Sequence, residues 1–141
     1  MPFKILIMGL SGAGKTTLAE KVVRGLRGYG CDVTWLNSNE IRTLTNNWDF
    51  SEEGRILQAY TLRRLANDSP TDIVVVDFIA PLAQQRSIFN ADFIVWVDTI
   101  GSSQYTDTDS IFESPTVVNY YISDHDEAHE VNILHLLLDD E

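Results

Sequence analysis

Basic side chains are scarce in this sequence. Ten Lys and Arg stand against 21 Asp and Glu, a net charge of −11. Such an acidic balance argues against a broad nucleic-acid-binding surface, because phosphate contacts need clustered cations. Duplex nucleic acid is therefore not the expected partner, although a small basic pocket can sit on an acidic body. Cysteine is nearly absent as well. Cys31 stands alone, which excludes an internal disulfide and points to a reducing, cytoplasmic setting, the host cytoplasm if the source is viral. Long apolar runs are also missing. The run that starts at Phe3 stops at Gly9, far short of the roughly 18 residues a membrane span needs, so no membrane association is expected. No signal peptide, repeat or low-complexity tract is visible, and Asp139-Asp140-Glu141 reads as a solvated end. What is present suits one domain over residues 1–141: 44% of the 141 residues are hydrophobic, enough for a real core.

Strand-like and helix-like segments alternate. Phe3 to Met8 reads as a buried strand feeding a glycine turn, and Thr16 to Leu26 has helical spacing, with Leu18, Val22, Val23 and Leu26 on one face. Gly28 and Gly30 stop that helix. Asp32 to Leu36 is a second strand. Ser51 suits an N-cap, with Glu52 and Glu53 in the first turn of a helix running to about Ala66. The β-branched run Ile73 to Val76 marks a strand buried on both faces. A short helix over Gln84 to Phe89, a strand over Phe93 to Val97, an irregular polar stretch from Gly101 to Pro115, a strand over Thr116 to Ile122 and a helix over Glu127 to Leu138 complete the series. In the last helix Val131, Leu134, His135 and Leu138 share a side. The alternation predicts an α/β fold: a three-layer sandwich with a mainly parallel five-stranded sheet and helices on both faces. Ligands bind beyond the carboxyl ends of such strands, so Gly9, Asn37, Asp77 and Asp98 should surround one site.

Gly9-Leu10-Ser11-Gly12-Ala13-Gly14-Lys15-Thr16 fits G-x-x-x-x-G-K-[ST] completely. It follows a predicted strand and opens a predicted helix, the context in which backbone N–H groups curl around phosphate, so the expected α/β sandwich is of the P-loop NTPase type. Gly9, Ser11, Gly12, Ala13, Gly14, Lys15, Thr16 and Thr17 are therefore the candidate ATP-binding residues. Lys15 directs its charge to the β- and γ-phosphates, and Thr16 can ligate Mg²⁺. Asp77, at the end of Ile73-Val74-Val75-Val76, is the candidate for supporting the metal or acting as base. Asp98 occupies a similar strand end, but a structural role is favoured there. His125 and His129 have i,i+4 spacing, yet a solvated helix start explains them better than a metal site.

The P-loop and the residues after it, through Thr17-Leu18-Ala19, resemble the start of an adenylylsulfate kinase. That family moves the γ-phosphate of ATP to the 3′-hydroxyl of adenosine 5′-phosphosulfate. The resemblance continues in family order over most of the chain. Asn37-Ser38-Asn39-Glu40-Ile41-Arg42 stands where the family has an Asp-Gly-Asp-Asn-Ile-Arg type segment, and Phe50-Ser51-Glu52-Glu53-Gly54-Arg55 resembles Phe-Ser-x-x-x-Arg. Asp77-Phe78-Ile79-Ala80-Pro81, followed by Arg86, is similar to Ser-Phe-Ile-Ser-Pro with a later arginine. The segment from Tyr105 to Pro115 resembles Phe-Thr-Gly-Ile-Asp-x-Pro-Tyr-Glu-x-Pro. The resemblance implies a small nucleotide-like acceptor held by Asn37, Asn39, Arg42, Phe50 and Arg55, with Phe78 and Ile79 lining the pocket and Trp48 and Arg86 as weaker candidates. Guanidinium forks suit sulfate or phosphate oxygens, and a ring can stack on a base.

Three departures stand out. The family's aspartate pair is Asn37 and Asn39 here. Its serine before Phe-Ile is Asp77, as though the carboxylate had moved from the end of one strand to the end of the next. Its long basic lid is missing, and Thr99 to Ser110 contains no Lys or Arg. A partner subunit, in a homodimer for instance, is one way to supply the absent charge. The alternatives at this stage are a viral or specialised kinase for another nucleotide or a hydroxymethylated DNA base, and an ATP-binding module without efficient phosphoryl transfer.

Overall fold

The computed structural model describes residues 1–138, so the acidic end at 139–141 lies outside the described residues. Five strands form one sheet in the order β2-β3-β1-β4-β5: β1 (Phe3–Met8), β2 (Val33–Asn37), β3 (Ile73–Asp77), β4 (Phe93–Val97) and β5 (Tyr120–Ile122). Every pairing is parallel, which narrows the expected mainly parallel sheet to a wholly parallel one. β1 is central, and Ile5, Leu6, Ile7 and Met8 have no solvent exposure. This is why its sequence from Ile5 to Met8 is continuously apolar rather than alternating.

Six helices cover the two faces: α1 (Lys15–Gly28), α2 (Ser38–Thr45), α3 (Glu52–Asn67), α4 (Ala83–Phe89), α5 (Thr106–Ile111) and α6 (Ala128–Leu138). Ala19, Val22, Val23 and Leu26 of α1 and Ile133 of α6 pack on Ile5, Ile7, Val75 and Val95. On the opposite face Ile41, Leu62, Ala66 and Phe89 pack on Leu6, Met8, Val74 and Val76. The Ser51 hydroxyl accepts from Gly54 N–H at 3.2 Å, capping α3 as its sequence predicts.

Several boundaries move. The expected strand from Thr116 shrinks to Tyr120–Ile122. In α6 the inward residues are Ile133, Leu134, Leu137 and Leu138, whereas Val131 and His135 are exposed. The helix is apolar nearly all round, so its periodicity does not identify the face. α2 and α5 are additional to the sequence reading. Asn37 explains α2: its side-chain carbonyl accepts from Glu40 N–H at 3.1 Å and starts a helix immediately at the strand end. α5 is a short polar helix that no apolar spacing announces.

Candidate active site

Strand parity sets the position of the carboxylate. β2 and β3 pair in register, Trp35 with Val75 and Asn37 with Asp77. Alternate side chains share a face, so Val33, Trp35 and Asn37 point the same way as Ile73, Val75 and Asp77, toward α1. The start of α1 carries Thr16. The Thr16 hydroxyl donates to Asp77 Oδ2 at 2.8 Å, and Asn37 Nδ2 donates to the same oxygen at 2.9 Å. The indole N–H of Trp35 donates to Asp77 Oδ1 at 2.8 Å. Asp77 is 2% exposed. Burial raises its pKa, while Trp35, Thr16, Asn37 and the charge of Lys15 pull it back.

The loop between β1 and α1 has the geometry its glycines require. Gly9 (φ +148°) passes so close to β4 that a Cβ there would lie 2.3 Å from the Val97 carbonyl oxygen. Gly14 (φ +104°) turns the chain into α1. The Thr99 hydroxyl donates to the Ala13 carbonyl at 2.8 Å and ties the loop to the end of β4. Lys15 Nζ donates to the Leu10 carbonyl of its own loop at 3.0 Å. Burial lowers its pKa to about 8, and Asp77 opposes that shift.

An open cleft of about 780 Å³ joins this loop to a second cluster. Phe50, 48% exposed, lies under two guanidinium groups, with Arg42 at 4.5 Å and Arg55 at 5.6 Å from the ring centre. Both arginines are nearly buried, at 5% and 4% exposure. Arg42 donates to the Asn47 carbonyl at 2.8 Å. Arg55 donates to the Phe50 carbonyl at 2.8 Å and to the Thr108 hydroxyl at 2.9 Å. Among the described residues neither forms an ion pair. Burial first, and then the neighbouring Arg55, lower the pKa of Arg42.

The cleft brings together Ser11, Gly12, Gly14, Lys15, Thr16, Thr17, Asn37, Asn39, Arg42, Phe50, Arg55, Asp77, Phe78 and Ile79 from the sequence candidates, and Trp48 from the weaker ones. Gly9 and Ala13 do not line it. Gly9 is wedged against Val97, and the N–H of Ala13 bonds to the Leu10 carbonyl at 3.1 Å. Asp98 also lies outside the cleft and accepts from the Tyr121 hydroxyl at 2.7 Å, so the expected ring of four strand ends reduces to Asn37 and Asp77 beside the loop. Arg86 holds the carbonyls of Ala80 and Glu113 at 2.6 and 2.7 Å, which makes it a brace for the adjoining loop. His129 is held between Asp124 and the Tyr120 hydroxyl, at 2.6 and 2.8 Å. Sequence reasoning did not single out Ser38, Ala80, Pro81, Gln85, Tyr105, Asp107 and Thr108 as lining residues. Tyr105 to Thr108 lie in a block that the resemblance covers, and that block was the available signal.

A parallel sheet with a phosphate-type loop after its central strand, and a carboxylate at the adjoining strand end, marks the P-loop NTPase class. The family model for Adenylylsulphate kinase matches residues 1–99, and the chain belongs to that family. A probable adenylyl-sulfate kinase of Pyrococcus abyssi is 38% identical over 89 residues, covering 60% of this chain and 50% of the relative. The nucleoside-triphosphatase THEP1 of Thermococcus kodakarensis is 30% identical over 122 residues, covering 79% of this chain and 67% of the relative. The chain thus spans about half the length of the adenylyl-sulfate kinase it matches. The structure of a Mycobacterium tuberculosis APS kinase in complex with AMPPNP and APS superposes with a TM-score of 0.83 at 23% identity, over 96% of this chain and 97% of that one, a likeness of fold.

Proposed function

We propose that the chain transfers the γ-phosphate of ATP to a hydroxyl of a nucleotide-like acceptor, with adenosine 5′-phosphosulfate as the simplest candidate. One observation carries this reading. Two nearly buried guanidinium groups, neither in an ion pair among the described residues, share a cleft with the phosphate loop. Buried charges are normally paired, and Asp49 and Asp107 act on Arg42 and Arg55 only from beyond ion-pair distance, so an anionic ligand fits between the two arginines and the loop. Phe50 offers a half-exposed ring for a base.

In this reading the loop N–H groups and Lys15 hold the triphosphate. Arg42 and Arg55 hold the acceptor's anionic group, and Asn37, Asn39, Phe78 and Ile79 shape its pocket. The acceptor oxygen bonds to the γ-phosphorus, the bond from that phosphorus to the β-γ bridging oxygen breaks, and ADP leaves. The hydroxyl proton passes to Asp77 or to solvent. The Thr16 hydroxyl and the Asp77 carboxylate suit Mg²⁺, which takes one or two protein oxygens and completes its shell with phosphate and water. When bound, Mg²⁺ would neutralise charge on the phosphates.

The test supplies γ-labelled ATP with adenosine 5′-phosphosulfate and a panel of nucleotides. Labelled acceptor should form, and Asp77→Asn should lose turnover while still binding ATP. Bound ATP with no transfer to any acceptor refutes the reading. A second reading, nucleoside triphosphate hydrolysis, is favoured by the THEP1 relative and by the absence of any Lys or Arg between Thr99 and Ser110. It predicts phosphate release that no acceptor accelerates.

A further inference from the structure

The Asp77 carboxylate is gripped from two sides, and the two sides are chemically different. Thr16 and Asn37 both meet Oδ2. A hydroxyl can turn away from one partner toward another, and Asn37 is also held by its cap on α2. Oδ1 has one side-chain partner among the described residues, the indole of Trp35 at 2.8 Å. An indole N–H can only donate, and it cannot rotate without moving the whole ring. The Trp35 ring is packed against the core beneath α1, so it has little freedom to leave. Its backbone lies two residues before Asn37 on the same strand face, beside Val75 and diagonal to Asp77.

We propose that Trp35 is the positioning residue of this site: its indole N–H fixes Oδ1 of Asp77 and thereby keeps Oδ2 turned toward Thr16, where the nucleotide's divalent cation would be shared. The inference rests on the reading of Thr16 and Asp77 as the metal side of the cleft. It goes beyond that reading by assigning the orientation of the carboxylate to a strand residue with no place in the P-loop pattern. Without the indole, Oδ1 loses its one fixed donor. The carboxylate can then rotate about its χ2 torsion, and Oδ2 no longer has a single direction. Partners that orient a metal ligand from behind commonly change metal affinity by about 10- to 100-fold. Here the lower end is expected, because Thr16 and Asn37 remain.

The test measures ATP affinity calorimetrically with Mg²⁺ and with EDTA, in wild type, Trp35→Phe, Asp77→Asn and the double variant. The readout is the ratio of the two affinities, which a general packing defect would not move. Trp35→Phe should leave affinity in EDTA within about twofold and cut the Mg²⁺-dependent gain about tenfold. Asp77→Asn should remove most of that gain, and adding Trp35→Phe to it should change nothing further. If Asp77→Asn removes the gain and Trp35→Phe does not, the positioning role is overturned and the reading of Asp77 survives. If Asp77→Asn leaves the gain intact, both fall. A second measurement needs no variant at position 35. In protein labelled with ¹⁵N-tryptophan, with the three indole signals assigned through Trp48→Phe and Trp96→Phe, the Trp35 signal should move on adding Mg²⁺-ATP and stay near its free position with ATP in EDTA. Equal movement in both conditions overturns the proposal.

Discussion

Lys15 gives the most quantitative prediction. Burial holds its ε-amino group near a pKa of about 8, against an ordinary 10.5. The free protein therefore carries a neutral Lys15 in roughly one molecule in ten at pH 7, half at pH 8 and nine in ten at pH 9. A triphosphate beside the amine favours the ammonium form and raises the pKa again. Binding must then take up about 0.1 proton at pH 7, about 0.5 at pH 8 and about 0.9 at pH 9. The fraction of competent protein falls in parallel, so affinity should weaken about tenfold between pH 7 and pH 9. Stability has a linked sign. The folded pKa is depressed, so the contribution of Lys15 is complete above about 10.5 and is lost as pH falls through about 8. Titration calorimetry with a non-hydrolysable ATP analogue, repeated in buffers of different protonation enthalpy, counts the protons. Lys15→Met supplies the baseline. Uptake that does not change between pH 7 and pH 9, or that persists in Lys15→Met, refutes the assignment.

Thr99→Val should lower ATP affinity about fivefold, since a neutral hydrogen bond contributes about 1 kcal/mol and this one ties the Ala13 carbonyl to β4; calorimetry at pH 7 measures it, and an unchanged affinity rejects that tie. Gly54→Ala places a Cβ 2.1 Å from the Asp49 carbonyl oxygen, so the loop carrying Phe50 must shift. Urea unfolding should show a loss of about 1–3 kcal/mol, with acceptor affinity falling further than ATP affinity. Gly9→Ala should act on the donor side, because its Cβ would lie 2.3 Å from the Val97 carbonyl oxygen and push the phosphate loop off β4; a variant that folds and binds ATP normally contradicts that placement. Phe50→Leu should weaken nucleotide acceptors and spare ATP, as competition binding would show.

Strands β1 and β3 were legible because burial on both faces writes a nearly continuous apolar run, β4 because its partly covered face is apolar too, and the phosphate loop because its geometry demands particular residues. Much of the candidate site was legible only through spaced similarity. Arg42 and Arg55 look like ordinary surface cations in isolation. Both lie over Phe50, and Arg55 also meets Thr108 of α5, a helix whose sequence is polar until Ile111. Asn37 acts twice, as the N-cap of α2 and as a donor to Asp77, and spacing alone shows neither role. Trp35 reads as one more apolar strand residue until the pairing with β3 sets its indole beside a carboxylate. Asp98 went the other way: it shares the strand-end position of Asp77, but β4 lies on the far side of β1, and the Tyr121 hydroxyl engages it there.

The position of the carboxylate and the distribution of charge bear on each other. Every Lys and Arg lies at or before Arg86, and the segment contributing Tyr105, Asp107 and Thr108 to the cleft brings only negative charge. Of the basic residues, Lys15, Arg42 and Arg55 line the cleft. Placing acidic residues at both Asn37 and Asn39 while keeping Asp77 would add carboxylates around the same small volume, and like charges at close range resist ionising together. One buried aspartate, held by three neutral donors, would offer a cation an oxygen without that conflict. Asn37→Asp should therefore fail as a gain of function. Two carboxylates would face each other across the β2–β3 register and resist ionising together, and turnover should fall rather than rise. A faster Asn37→Asp enzyme in a transfer assay would show that the site has room for the second charge and that the single carboxylate is not a response to the shortage of cations.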